Sequence, residues 1–227
     1  MTKIPDKLQG TDGIRGRITS DDDLNGLTAL DYFEVSGKLT PSFFEHYAYA
    51  YATLLIETKT GNSDDSIVVG WDPRDREGIF NEVAVNGIRK AGLNVIKVGI
   101  LPTPAIPLYM LLTQSAGSMV LTASHNPSDQ NGIKLFHGYT ALKFLPSDDE
   151  MLTAVVKKQC ALDLRGIPLL GTLEDHSREA RDLFVSFSID PENSWMKETD
   201  FPETILVIDA SKGAVSGVVE EIFSNFA

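Results

Sequence analysis

Apolar residues recur along the chain at two different spacings, and the alternation between them predicts the order of its elements. Phe44, Ala48, Tyr51 and Leu55 stand three or four positions apart, so they line one face of a helix. Thr40 suits the N-cap, because its hydroxyl can accept from the first backbone N–H groups, and Pro41 suits the first helical position, where no donor is needed. Shorter apolar runs without that spacing read as buried strands: Ser66-Ile67-Val68-Val69-Gly70, then 94–98, then Ser118-Met119-Val120-Leu121-Thr122. Helices are predicted between them, one over 78–91 closed by Gly92 and one over about 105–112, entered through Pro102-Thr103-Pro104.

Strands alternating with helices signify an α/β fold, a mostly parallel sheet with helices on its faces. A further strand at 133–136 and a helix running from a Ser147 cap to about 160 complete a three-layer α/β/α domain, with a mostly parallel mixed sheet, over residues 1–168. The stretch between Gly16 and Thr40 is polar, rich in Asp and Gly, and receives no element. A boundary is expected around 166–171, followed by a helix over 173–187, a buried strand Thr204-Ile205-Leu206-Val207-Ile208-Asp209 and a helix over 214–226. One strand and two helices are too few for an independent domain, so 169–227 reads as an incomplete second α/β unit.

Charge narrows the partners. Lys and Arg number 20 against 32 Asp and Glu, a net charge of −12. That field disfavours nucleic acid and acidic membrane surfaces, but a few local cations can still hold a small phosphorylated ligand. No stretch approaches the roughly 20 apolar residues of a membrane span, and the start lacks the apolar core of a secretory signal, so a cytoplasmic location is expected. Cys160 is the single cysteine, which excludes an internal disulfide and reads as a packing residue.

Parallel sheets place ligands beyond the carboxyl ends of their strands, and Ser124 falls at such an end. Asn126-Pro127 bends the chain away after it and leaves the hydroxyl at a loop apex. An ordinary turn serine and a nucleophile both fit. A hydrolase elbow, Gly-x-Ser-x-Gly, does not match well, since Thr122 and Asn126 occupy the glycine positions.

Thr122-Ala123-Ser124-His125-Asn126-Pro127, followed by Asn131-Gly132-Ile133-Lys134 and Phe136, resembles the phosphoserine loop of the α-D-phosphohexomutases. Three more segments match that family in order and spacing: Gly10-Thr11-Asp12-Gly13-Ile14-Arg15-Gly16, Val69-Gly70-Trp71-Asp72-Pro73-Arg74 and Gly99-Ile100-Leu101-Pro102-Thr103-Pro104. The resemblance implies an enzyme that shifts phosphate between the C1 and C6 oxygens of an aldohexose phosphate, through a phosphoserine at Ser124 and a hexose 1,6-bisphosphate intermediate or activator. It implies that Arg15 and Lys134 bind phosphate and that His125 positions groups or carries a proton. The residues alone also allow solvated charges at Arg15 and Lys134 and a plain loop histidine at His125. Glucose, mannose and glucosamine phosphates are equally compatible.

Departures from the family pattern are equally specific. Trp71 stands where Arg is frequent, and Val207 to Gly217 resembles the opening of the second domain with Lys212 where Asn is usual. The resemblance implies Mg²⁺ held by the phosphate on Ser124 and by three aspartates of an Asp-Gly-Asp-x-Asp-Arg loop, which does not occur in these 227 residues. Asp21-Asp22-Asp23 and Asp148-Asp149-Glu150 lack that spacing and read as solvated. The 227 residues by themselves are therefore expected to be inactive; a non-catalytic phosphosugar-binding module and a serine hydrolase are the alternatives.

Overall fold

The computed structural model describes residues 7–10, 12–60, 65–193, 205 and 207–225. Its strands are β1 (Ile14–Ile18), β2 (Lys38–Leu39), β3 (Ser66–Trp71), β4 (Asn94–Ile100), β5 (Gly117–Leu121), β6 (Gln130–His137) and β7 (Leu173–Asp175). The helices are α1 (Ala29–Ser36), α2 (Pro41–Glu57), α3 (Ile79–Ala91), α4 (Ala105–Thr113), α5 (Pro146–Gln159), α6 (Ser177–Ile189) and α7 (Val219–Ser224). The strands form one sheet in the order β2-β1-β6-β5-β3-β4-β7. Only β6 runs antiparallel to its neighbours β1 and β5. The loop from β5 to β6 is too short for the crossover that a parallel neighbour needs, so the chain returns as a hairpin.

Two apolar cores separate the layers. Tyr47, Tyr51, Phe43 and Phe44 of α2 pack with Val85 and Ile88 of α3 and Leu152 of α5 against Ile67, Val69, Met119, Leu121 and Ile133. On the other face Ile106 and Met110 of α4 and Val185 of α6 cover Val68, Val98, Val120 and Phe136. Alternate residues of one strand thus feed opposite cores, as the period of two requires. Thr40 caps α2 as expected, its Oγ1 accepting from Phe43 N at 3.3 Å.

Several expectations are corrected. The segment between Gly16 and Thr40 carries α1 and β2, which at 8 and 2 residues are too short for a periodicity to register. Asp21 is not merely solvated, since its carboxylate accepts from Ser42 N at 3.0 Å and Ser42 Oγ at 2.9 Å and so braces the start of α2. Asp149 is buried, at 6% exposure. Helix α5 begins at Pro146, not after Ser147, with the Asp148 carboxylate accepting from Leu145 N at 2.6 Å. Leu173–Asp175 is a strand paired in parallel with β4, and the helix starts only at Ser177.

The strand anticipated over 204–209 is not seen where it is described: Ile205 and Val207 are 91% and 87% exposed and unpaired, and Thr204 and Leu206 lie outside the described residues. An apolar run signals a strand only where a neighbouring strand receives it. The helix anticipated over 214–226 is broken into a 3₁₀ turn, Ala214–Gly217, and the short α7; Phe226 lies outside the described residues. Among the described residues no helix is long and apolar enough to cross a membrane.

Candidate active site

Strands β3, β4 and β5 end on the same side of the sheet, and the loops that leave them build one open cavity of about 600 Å³. Ser124 sits on its wall, three residues beyond the end of β5. Thr122 and Ala123 stay buried, while Ser124 and His125 are exposed. The reversal happens at Ser124, whose φ of 58° lies in the left-handed region that residues other than Gly, Asn and Asp rarely adopt. Such a conformation persists only where the surroundings impose it, and it concentrates at functional positions.

The imposing groups are identifiable. Ser124 N donates to Thr122 Oγ1 at 2.8 Å, and Asn126 N to Ala123 O at 3.1 Å. Thr122 Oγ1 in turn donates to the Asp72 carboxylate. Arg74 then ties the loop down from outside. Its Nε donates to both oxygens of Asp72, at 2.9 and 2.8 Å, while its Nη atoms donate to Ser124 O at 2.6 Å and Gln130 O at 2.7 Å. Planar guanidinium geometry permits this fan of bonds, which an ammonium would not reproduce.

Asp75 steadies the loop that carries Asp72 and Arg74 by joining it to the start of α3. Gly78 precedes α3 without a capping side chain, so the buried Asp75 accepts from Phe80 N at 3.1 Å and Asn81 N at 2.6 Å instead. Burial pushes its carboxyl above the usual range, against the lowering effect of these bonds.

Around Ser124 the cavity is basic although the chain is acidic. Arg74, Arg76, Lys212 and His125 line it, and among the described residues Asp72, already engaged by Arg74, is the only acidic one that does so. An excess of fixed positive charge in a concave site suits a dianionic phosphate.

Arg15 and Lys134 are brought to each other but do not line that cavity. Both converge on Asp12, Lys134 Nζ at 3.2 Å and Arg15 by a direct pair, and Lys143 joins them. Lys134 is only 7% exposed, which replaces the solvated reading with a buried lysine paired to a partly exposed Asp12. Burial acts to raise the Asp12 pKa, but the hydrogen bonds and charges of Lys143 and Lys134 outweigh it and hold the carboxyl below its ordinary value. The glycines of these motifs have a steric reason. A Cβ at Gly13, where φ is 90°, would meet Ile133 O at 2.2 Å, and one at Gly132 would meet Ile14 O at 2.2 Å. His125 makes no hydrogen bond or ion pair among the described residues, so its ring is uncommitted.

The family model described as "Phosphoglucomutase/phosphomannomutase, alpha/beta/alpha domain I" matches residues 6–161. The chain belongs to the α-D-phosphohexomutase family. It is 30% identical over 219 residues to the phosphoglucosamine mutase of Carboxydothermus hydrogenoformans, a match covering 96% of this chain and 44% of that protein. With the phosphoglucosamine mutase of Pelotomaculum thermopropionicum it shares 32% identity over 165 residues, or 70% of this chain and 35% of the relative. The crystal structure of a phosphoglucomutase/phosphomannomutase family protein from Burkholderia thailandensis superposes with a TM-score of 0.63 at 20% identity, covering 95% of this chain and 41% of that one, which establishes the shared fold. The chain thus spans less than half the length of these phosphohexomutase relatives.

Within this phosphohexomutase domain, sequence reasoning missed Arg74, Arg76 and Asp72 as site residues. Arg74 and Asp72 stood in a quoted motif, but their contacts lie about 50 positions further on, at Thr122 and Ser124, and no local spacing signals them.

Proposed function

We propose that the chain is the phosphoserine-bearing part of a mutase that shifts phosphate between the C1 and C6 oxygens of an aldohexose phosphate. The observation that carries the proposal is Ser124, held at a left-handed apex on the wall of a cavity whose fixed charges are Arg74, Arg76 and Lys212 against Asp72. The phosphoryl group leaves Ser124 Oγ for one sugar hydroxyl as that oxygen loses its proton, and Ser124 Oγ gains a proton. Reorientation of the resulting hexose 1,6-bisphosphate and the reverse step restore phospho-Ser124. His125 is the uncommitted group beside Ser124 that can carry the proton. Positioning and charge supply most of the acceleration in such a reaction.

Arg15 and Lys134 belong to the same proposal in an altered form. Their shared anchor Asp12 holds the two cations together, Lys134 on β6 beside β5, and in this reading they meet the phosphate of the bound sugar and not the serine itself. The division into units at 1–168 and 169–227, and a cytoplasmic location, are part of this reading too.

Mg²⁺ does not fit the residues at hand. Asp72 is taken by Thr122 and Arg74, and among the described residues no cluster of three His, Cys, Asp or Glu could hold a metal. Ser124 would contribute only through its phosphate, so no step is derived through the ion.

Relatives named phosphoglucosamine mutases favour glucosamine phosphate as the first substrate to try, with glucose and mannose phosphates beside it. The test is turnover by the whole protein of the three hexose 1-phosphates, with Mg²⁺ and a bisphosphate activator, before and after Ser124→Ala. Turnover lost in the variant supports the proposal. Undiminished turnover by the variant removes Ser124 from the reaction.

A further inference from the structure

Two departures from the family pattern fall in different surroundings. Trp71, at the position where arginine is frequent, packs its ring against the core beneath α2 and α3 and is absent from the cavity wall. Lys212, where asparagine is usual, lines that wall together with Ser211 and Gly213. The departure at position 212 therefore places a charge on the cavity that Ser124 borders, while the one at position 71 lies outside it.

The backbone around Lys212 is built to present it. Ser211 and Lys212 have φ values of 49° and 52°, two successive residues in a region where even one non-glycine residue is uncommon. Asp209 Oδ1 accepts from Ser211 N at 2.8 Å, and Gly213 N donates to Ala210 O at 2.8 Å, which closes the turn from both sides. Its ammonium makes no ion pair or hydrogen bond among the described residues, and it is exposed. Arg74, by contrast, spends its donors on Asp72 and the loop carbonyls. The cavity therefore holds one cation committed to structure and others free for a ligand.

The geometry points to Lys212 as a phosphate-binding cation for the phosphoryl group on Ser124, supplied by the later segment. This rests on the phospho-Ser124 reading and adds to it the residue that offsets the dianion. A lysine suits the role because its ammonium is a compact point charge on a flexible stem, able to follow phosphate between a serine-bound and a sugar-bound position.

The experiment places phosphoserine at position 124 of the full 227-residue chain during synthesis and follows its ³¹P resonance as a function of pH. A free phosphoserine has its second pKa near about 6, and a neighbouring cation lowers it. Lys212→Asn is expected to raise that pKa by about 0.5 unit or more, while Lys212→Arg keeps it within about 0.1 unit of the unsubstituted chain. Lys158→Asn, on an exposed helix position, is the control and leaves it unchanged. A titration identical in Lys212→Asn and the unsubstituted chain overturns the assignment. Failure of the whole protein to take phosphate at Ser124 from a hexose bisphosphate would instead sink the phosphoserine reading, so the two failures are distinct.

Discussion

Arg74 is the residue on which the shape of the serine loop depends, and replacing it with alanine tests that dependence. Its side chain is 12% exposed and donates to the Asp72 carboxylate and to the carbonyls of Ser124 and Gln130. Breaking a buried ion pair costs about 3–5 kcal/mol, because the partner charge stays behind unpaired. Asp72 keeps its bond from Thr122 and the site opens toward solvent, so the lower end applies, about 3 kcal/mol. For a chain of this size that corresponds to roughly 6–12 °C in Tm. Ser124, released from its left-handed conformation, should also accept phosphate from a hexose bisphosphate at least tenfold more slowly, since a misplaced nucleophile loses its positioning advantage. Arg74→Lys should recover part of the stability and little of the rate. Differential scanning fluorimetry and a time course of phosphate incorporation make both measurements. A Tm within about 2 °C of the parent together with unchanged incorporation would refute the tether.

Three further outcomes are expected. Lys134→Ala in the whole protein should lower turnover by about 100-fold or more with a Tm loss of only a few degrees, because Asp12 retains Arg15 and Lys143; steady-state kinetics and a melt separate the two effects. Asp149 has its pKa pushed up to about 6 from 3.8, by burial first and then by the charge of Asp148, so the folded state holds its proton more tightly than the unfolded state does. Its contribution to stability is full below pH 3.8 and lost as pH rises through about 6, so Asp149→Asn should raise Tm at pH 8 and change it little at pH 4 in paired melts. The 227 residues by themselves should give no mutase turnover with glucose, mannose or glucosamine 1-phosphate in a coupled assay, because the Asp-Gly-Asp-x-Asp-Arg loop does not occur in them; robust turnover would contradict this.

Much of the fold was legible because its signals are local. The Thr40-Pro41 cap, the Gly92 stop and the runs at β3, β4 and β5 each follow from a few adjacent residues, and they fixed the side of the sheet on which Ser124 emerges. The exceptions are elements whose identity depends on a distant partner. Leu173–Asp175 is a strand because β4 offers it an edge, and Asn94 Oδ1 accepts from Thr172 N at 2.8 Å just before it. The run at 205–209 has the composition of a strand but no such partner among the described residues. The site divides in the same way. Ser124 was legible from its motif, whereas Arg74 acts through carbonyls 50 and 56 positions away, and Lys212 joins the wall from the far end of the chain. The burial of Lys134 on Asp12 was hidden by the same separation.

The central claim is that Ser124 carries the phosphoryl group, and the direct measurement is to locate phosphate on the chain after exposure to a hexose 1,6-bisphosphate. Peptide mass spectrometry of the treated protein should find a single added phosphate on the peptide spanning Thr122 to Pro127, with fragment ions assigning it to Ser124 and none in Ser124→Ala. Phosphate on any other residue, or undiminished labelling of the variant, would contradict the account.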